Sequence, residues 1–158
     1  MQKPDALSAA LNYLTFRARS CKEITDYLHK KGYTDHAVAE TVDALLEQGL
    51  IDDMALGKLW VEEWQRLGKG SRRALSDRLR KLGLEREVID ACLAGLDDDQ
   101  EHDNALEAAQ GLAGKYAALE SYERDRKLSA ALARRGFGWD AIKAAVKRIY
   151  GDAAEWDE

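Results

Sequence analysis

Apolar positions recur along this chain at helical spacings. Counted from Gly32, Gly83 and Gly136, the residues eight before are Ile24, Leu75 and Leu128, and those four before are Leu28, Leu79 and Leu132. One after come Tyr33, Leu84 and Phe137. Six after stand Val38, Ile89 and Ile142; ten after, Val42, Leu93 and Val146; thirteen after, Leu45, Leu96 and Ile149. Strand alternation would put apolar residues two apart, and that pattern is missing. Self-similarity at a period of about 50 residues marks a chain of small stacked units, which builds a binding surface more naturally than a catalytic cleft.

Each glycine therefore sits between two helices, as a left-handed C′ residue that ends the first. In that motif C″ touches C3, and the pairs Leu28 with Tyr33, Leu79 with Leu84 and Leu132 with Phe137 are all apolar. Ser20-Cys21-Lys22-Glu23 has capping-box form. Ser71 lies twelve residues before its glycine, as Ser20 does, whereas the third unit has Arg124 there, with Ser121 upstream. Thr34 or Asp35 caps the helix that follows Gly32. Three further stripes lie upstream: Leu7, Leu11 and Leu14; Leu56, Trp60, Trp64 and Leu67; Leu106, Ala109, Leu112 and Tyr116. The expectation is an all-α fold of three tandem three-helix repeats over residues 1–53, 54–99 and 100–158. One such unit is too small to bury much surface alone, so the repeats are expected to stack into an elongated, curved array.

Composition agrees with this. The chain has 158 residues, one proline (Pro4, ahead of the first helix) and 34% charged residues, as suits helices with wet outer faces. No apolar run is long enough to cross a bilayer, and Met-Gln-Lys-Pro-Asp offers no signal-peptide core, so a cytoplasmic location is expected. Two cysteines, Cys21 and Cys92, are too few for a disulfide framework. Arg19 and Lys22 beside Cys21 are of the sign that lowers a thiol pKa, but no histidine or acid completes a nucleophilic arrangement, and the expected reading is an incidental or partly buried cysteine.

Charge changes the picture more. The net value of −5 argues against nucleic acid, but it hides a polarity. Residues 66–86 carry Arg66, Lys69, Arg72, Arg73, Arg78, Arg80, Lys81 and Arg86 against Asp77 and Glu85. Residues 121–150 are similarly basic, and acid gathers at Asp52-Asp53, at Asp97-Asp98-Asp99 and in the tail. In the repeat alignment Lys22, Arg73 and Arg126 stand ten before each glycine, and Lys30, Lys81 and Arg134 two before. At 100° per residue both positions point away from the leucine stripe. The helix dipole accounts for cations near a C-terminus but opposes those near a start. These six residues thus form a candidate basic edge for phosphate or for an acidic protein surface, with Arg17, Arg19, Arg72 and Arg80 as further candidates.

Other motifs carry less. Gly68-Lys69-Gly70-Ser71 lacks the earlier glycine, the Lys-Ser/Thr pair and the strand of a phosphate loop, and reads as a linker between helices. The acidic run from Asp97 to Asp103 lacks the ligand alternation of a calcium loop and reads as a solvated linker. His29, His36 and His102 show no metal spacing with the cysteines. Trp60 and Trp64, one turn apart, read as core rather than as base-stacking residues. Trp139 is open to either placement. No catalytic set, metal site or cofactor site is expected.

Three stretches resemble a known family. Phe16-Arg17-Ala18-Arg19-Ser20 with Glu23-Ile24 and Leu28-His29-Lys30-Lys31-Gly32 is similar to the opening signature of the RecX family. Gly49-Leu50-Ile51-Asp52-Asp53, followed by Trp60-Val61 and Gly70 to Gly83, resembles its central signature, and Arg134-Arg135-Gly136-Phe137 with Asp140 and Ile142 its C-terminal one. The likeness spans about residues 7–150. Met54, Ala55 and Leu56 replace the aromatic residue that many relatives carry after the Asp-Asp pair. The resemblance implies a fold of three tandem three-helix repeats and a non-enzymatic regulator of homologous recombination. Such a protein binds the RecA filament on single-stranded DNA and limits its extension, ATP hydrolysis and strand exchange. A RecA filament is thus the expected partner, single-stranded DNA a further one, and the working form a monomer. The alternative is a helical-repeat protein that binds DNA directly, without RecA.

Overall fold

The structure is a computed structural model that describes residues 2–67 and 70–151. Gly68-Lys69 and the acidic tail lie outside the described residues. Among those described there are nine helices and no strand, in the order α1 Ala6–Leu14, α2 Cys21–Lys30, α3 Asp35–Glu47, α4 Asp53–Leu67, α5 Arg72–Lys81, α6 Arg86–Leu93, α7 Asp98–Tyr116, α8 Ser121–Arg134 and α9 Trp139–Tyr150. Gly32, Gly83 and Gly136 join the second and third helix of each successive trio, so the all-α expectation holds. The chain forms two compact units. One comprises residues as far as Trp60 with Arg78–Cys92, and the other Val61–Asp77 with residues from Leu93 on.

The helix starts follow local chemistry. Asp5 accepts from the Ser8 amide (2.7 Å) and Thr34 from the Ala37 amide (3.2 Å). Ser20 makes the full capping box: its hydroxyl accepts from the Glu23 amide (3.0 Å) and its own amide donates to Glu23 (2.9 Å). Ser71 accepts from the Ala74 amide (3.0 Å). Such caps satisfy amides that the first turn leaves without partners. The third repeat departs from this pattern. Helix α8 begins one turn earlier, after Glu120, which makes no side-chain cap bond. Arg124 therefore lies inside the helix, and no serine is needed at its offset.

The glycine turns are Schellman motifs. Gly32, Gly83 and Gly136 have φ of 87°, 90° and 91°, the left-handed region that costs a residue with a Cβ roughly 1–2 kcal/mol. In each, the amide after the glycine donates back to C3: Tyr33 to Leu28 (3.2 Å), Leu84 to Leu79 (3.2 Å) and Phe137 to Leu132 (3.3 Å). A fourth turn of this kind, not anticipated, ends α3: Gly49 has φ of 69° and the Leu50 amide donates to Leu45 (2.9 Å).

The glycine-aligned leucines form the core. Ile24, Leu28, Val38 and Leu45 are buried with Ala6, Ala9, Ala10 and Ile51 in the first repeat. In the third, Leu128, Leu132, Phe137, Ile142 and Val146 are buried with Ala105, Ala108 and Ala109. The upstream stripes are corrected. In α1 the inward residues are the three alanines, while Leu7 and Leu11 are exposed and Leu14 is half-buried. In α7 the buried residues are Asn104, Ala105, Ala108 and Ala109, with Leu106, Leu112 and Tyr116 at the margin. Alanine admits closer helix approach than leucine, so the smaller residue faces the core. In α4 Leu56 and Trp64 are buried, Trp60 half-buried and Leu67 exposed. The acidic run is not a linker. Asp97 caps α7 by accepting from the Asp99 amide (3.1 Å), and Asp98, Asp99 and Glu101 occupy its first turn, where the helix dipole favours carboxylates.

Gly83→Ala is expected to destabilise the chain by about 2–5 kcal/mol in urea unfolding, because the positive φ costs roughly 1–2 kcal/mol and the new Cβ, within 2.5 Å of the Lys22 stem, forces a repacking that costs about 1–3 kcal/mol more. An alanine at Gly95, where nothing lies within 4 Å and φ is not left-handed, is expected to change stability by less than about 0.5 kcal/mol.

Candidate functional site

The turns at Gly32, Gly83 and Gly136 are each packed by a residue from elsewhere in the chain, and the pattern repeats, whereas nothing lies within 4 Å of the Cβ position of Gly49. The residue before each glycine has a carbonyl that the helix no longer uses. The Leu82 carbonyl accepts from the Ser20 hydroxyl, and the Arg135 carbonyl accepts from the Ser71 hydroxyl (2.7 Å). Ser20 and Ser71 thus each cap two helices, the start of their own and the end of the equivalent helix one repeat on. Both are buried. The starts of α2 and α5 are also held from the next helix trio. The Cys21 amide donates to Asp53 at the start of α4 (2.9 Å), and the Arg72 amide to Glu101 in α7 (3.4 Å). Asn104 of α7, fully enclosed, donates to the Gly70 carbonyl (2.8 Å). The Lys31 carbonyl, before Gly32, is served from the N-terminal arm: Lys3 Nζ donates to it (2.6 Å) and lies 4.0 Å from the centre of the Tyr33 ring.

These joints decide where the candidate cations stand. The Lys22 side chain lies against Gly83, whose missing Cβ would come within 2.5 Å of it; Gly83 is two residues beyond Lys81. Arg73 Cβ is 3.4 Å from the Cβ position of Gly136, two residues beyond Arg134. The cation ten before one glycine therefore meets the turn that carries the cation two before the next. Lys22 is brought to the Lys81 turn and Arg73 to the Arg134 turn. All four side chains belong to exposed residues, as do Lys30 and Arg126. Lys22 also pairs with Asp26 (2.6 Å). The described residues set no glycine turn against Arg126.

The further candidates divide. Arg17 pairs with Glu23, the capping-box acid, and Arg19 approaches the same carboxylate (3.8 Å). Arg19 is half-buried and lies 3.9 Å from the centre of the Tyr13 ring, which stacks on Tyr27 at 3.9 Å. Arg72 binds Asp98 (2.8 Å) and the Leu93 carbonyl (3.1 Å). Arg17, Arg19 and Arg72 thus have internal partners, and Arg80, like Arg17, is exposed without being free of partners. Sequence reasoning passed over Lys3, whose contact with residue 31 has no local signature. The double use of Ser20 and Ser71 was also missed, although their shared offset was visible.

Other features are chemically quiet. Cys21 does not have an activated thiol. Burial, with the nearby Asp53 carboxylate, pushes its pKa up to about 11, against the lowering suggested by Arg19 and Lys22. Burial also raises Cys92. Trp139 is 53% exposed beside a cleft of about 310 Å³ that includes Glu101, His102 and Asp140. Among the described residues no group of histidine, cysteine and acid side chains is placed to hold a metal, and no helix is long and apolar enough to cross a membrane.

Residues 6–45 match a family model described as the first three-helix domain of RecX, and residues 98–146 match its third three-helix domain. A regulatory protein RecX from Mycolicibacterium vanbaalenii is 37% identical over 139 residues, 84% of this chain and 75% of the relative. The corresponding protein of Mycolicibacterium smegmatis is 37% identical over 141 residues, 86% and 74%. That of Lactobacillus delbrueckii subsp. bulgaricus is 29% identical over 153 residues, and there the match spans 97% of this chain but only 56% of the relative. The crystal structure of RecX from Lactobacillus salivarius superimposes with a TM-score of 0.81 at 23% identity, over 91% of this chain and 94% of that one, which establishes a shared fold.

Ser71→Ala, which strips both helix ends of one donor-acceptor, is expected to cost about 2–3 kcal/mol in urea unfolding, whereas Ser121→Ala, at a start with no side-chain cap, should cost under about 0.5 kcal/mol. The raised Cys21 pKa favours the folded state below the thiol's unfolded value, and that contribution is lost as pH rises toward about 11. Thiol alkylation of the folded chain at pH 8 should accordingly be slow, and Asp53→Asn should speed modification of Cys21.

Proposed function

The chain belongs to the RecX family, and on that footing we propose that it regulates homologous recombination by binding the RecA filament and restraining its extension, ATP hydrolysis and strand exchange. The observation that supports this reading is that two exposed cations have their carbon stems at glycine turns that carry two others, Lys22 at the turn after Lys81 and Arg73 at the turn after Arg134. Rigid turns present these charges, so little side-chain order is lost when an anionic surface meets them. Matched charge of this kind sets register and speeds encounter more than it adds raw affinity. The occupant is an acidic protein surface. A net charge of −5 works against the non-specific phosphate attraction on which DNA binding depends. The reading entails a non-enzymatic protein that works as a cytoplasmic monomer without a cofactor.

Adding this protein to cognate RecA on single-stranded DNA should lower DNA-dependent ATP hydrolysis in proportion to dose. A flat response at several-fold molar excess would overturn the reading. Charge reversal at Lys22, Lys81, Arg73 and Arg134 together, in a chain that still unfolds cooperatively, should raise the half-inhibitory concentration roughly four- to several-hundredfold, taking about 0.2–1 kcal/mol for each of the four exposed contacts. Binding to single-stranded DNA alone, falling steeply with salt and unaffected by RecA, would favour direct DNA recognition instead.

A further inference from the structure

We propose that the groove between α1 and α3 docks an apolar side chain flanked by lysine or arginine, presented by the protein partner named above. This rests on the reading of the chain as a RecA regulator and gives the same partner a second contact, opposite in sign to the basic turns.

Helix α1 has more apolar surface than its core uses. Ala6, Ala9 and Ala10 are buried among residues of α2 and α3. That leaves Leu7 and Leu11, four apart and so on one face, exposed. Leu7 lines a groove of about 320 Å³ together with Ala37, Thr41 and Ala44 of α3. Those three α3 positions share a helical face, and all are small. The Thr41 hydroxyl donates to the Ala37 carbonyl (2.8 Å), so its one proton is used within the helix. The lining is thus mainly methyl groups with a leucine edge. Its volume is at the low end of the roughly 300–1,000 Å³ of ligand pockets, and a whole helix, about 10–12 Å across with its side chains, is too large for it.

Two carboxylates at the groove set the sign of what enters. Asp5 and Glu40 both line it. The Ser8 amide donates to Asp5 (2.7 Å) and holds its carboxyl below the usual range. Glu40 meets His36 (3.2 Å), an imidazole counted as neutral at pH 7. Neither partner brings the full positive charge that Arg17 brings to Glu23, so both carboxylates keep their own. Helices α1 and α3 contain no lysine or arginine, and α3 adds Asp35, Asp43 and Glu47. Lys3, two residues before Asp5, is directed to the Lys31 carbonyl (2.6 Å).

The chain itself offers poor occupants. Its tail, with Asp152, Glu155, Asp157 and Glu158, has the wrong sign. The basic helix α5 carries Leu75 and Leu79, but both are buried. Phe16 is exposed, yet the Arg17 beside it is paired with Glu23. Charge complementarity therefore favours a cationic, apolar segment of another protein. Its apolar anchor supplies affinity by leaving water, and the carboxylates fix its register.

The test uses the full chain and RecA assembled on single-stranded DNA, reading the half-inhibitory concentration for ATP hydrolysis in variants that still unfold cooperatively in urea. Glu40→Lys is expected to raise it about fivefold, Glu40→Gln about twofold and Leu7→Ala about three- to fivefold. Glu62→Lys and Leu59→Ala, at exposed α4 positions that do not line the groove, should stay within about twofold. If the unaltered chain inhibits and neither Glu40→Lys nor Leu7→Ala moves the value beyond twofold, the groove is wrong while the proposed function stands. If the unaltered chain leaves ATP hydrolysis unchanged, the function fails and the groove proposal with it. Stronger inhibition by Glu40→Lys would mean that the groove faces phosphate or carboxylate, and would overturn the assignment. So would losses in Glu62→Lys and Leu59→Ala as large as those at the groove. A dimer of the protein alone in sedimentation, dissolved by Glu40→Lys, would make a second copy the occupant and overturn the choice of another protein.

Discussion

The glycine turns at Gly32, Gly83 and Gly136 each meet two demands at once. The backbone must be left-handed to end a helix, and the space a Cβ would fill is taken by a residue from another part of the chain. The carbonyl just before the glycine, freed when the helix stops, must find a donor. A hydroxyl that already caps another helix meets that need at Gly83 and Gly136, and a lysine meets it at Gly32. Burial of Ser20 and Ser71 makes these bonds costly to lose, since an enclosed polar group without a partner is penalised in full. Packing of the leucines, placement of the turns and position of the exposed cations all depend on this joint.

The joint also explains how a chain of net negative charge can present organised positive charge. Helix dipoles disfavour Lys22 and Arg73 near the starts of α2 and α5. Lys22 is offset in part by Asp26 one turn on, and its carbon stem covers a glycine that offers no side chain of its own. Acidic residues have their own structural posts. Asp53 receives the Cys21 amide, Glu101 the Arg72 amide, and Asp98 the Arg72 guanidinium. Much of the acid near the basic segments is thus committed to holding helix starts. Arg17, Arg19 and Arg72 are drawn into the same internal work, Arg17 while remaining exposed.

The alanine-lined faces of α1 and α7 show a different limit. Periodicity marks which residues are apolar, not which apolar stripe will be inside when two are available. In α1 the leucines at 7 and 11 offered the larger transfer energy, but Ala6, Ala9 and Ala10 let the helix approach α2 and α3 closely, and they are the residues enclosed. The acidic run before α7 was misleading for a related reason. Solvated carboxylates are common in loops, and only the helix beneath them reveals that they are first-turn residues.

The sequence by itself determined the helical class, the threefold repeat, the glycine turns and the serine and threonine caps. Each of these depends on residues within one or two helical turns of one another, so side-chain spacing and backbone preference suffice. Family membership was legible for the same reason, through short signatures such as Phe16 to Ser20 and Arg134 to Phe137. Long-range packing settled that Ser20 and Ser71 serve a second helix, that Lys3 reaches residue 31, and that Lys22 and Arg73 lie beside the turns that follow Lys81 and Arg134. Those contacts join residues far apart in the chain, and no local preference encodes which distant carbonyl a hydroxyl or an ammonium will find.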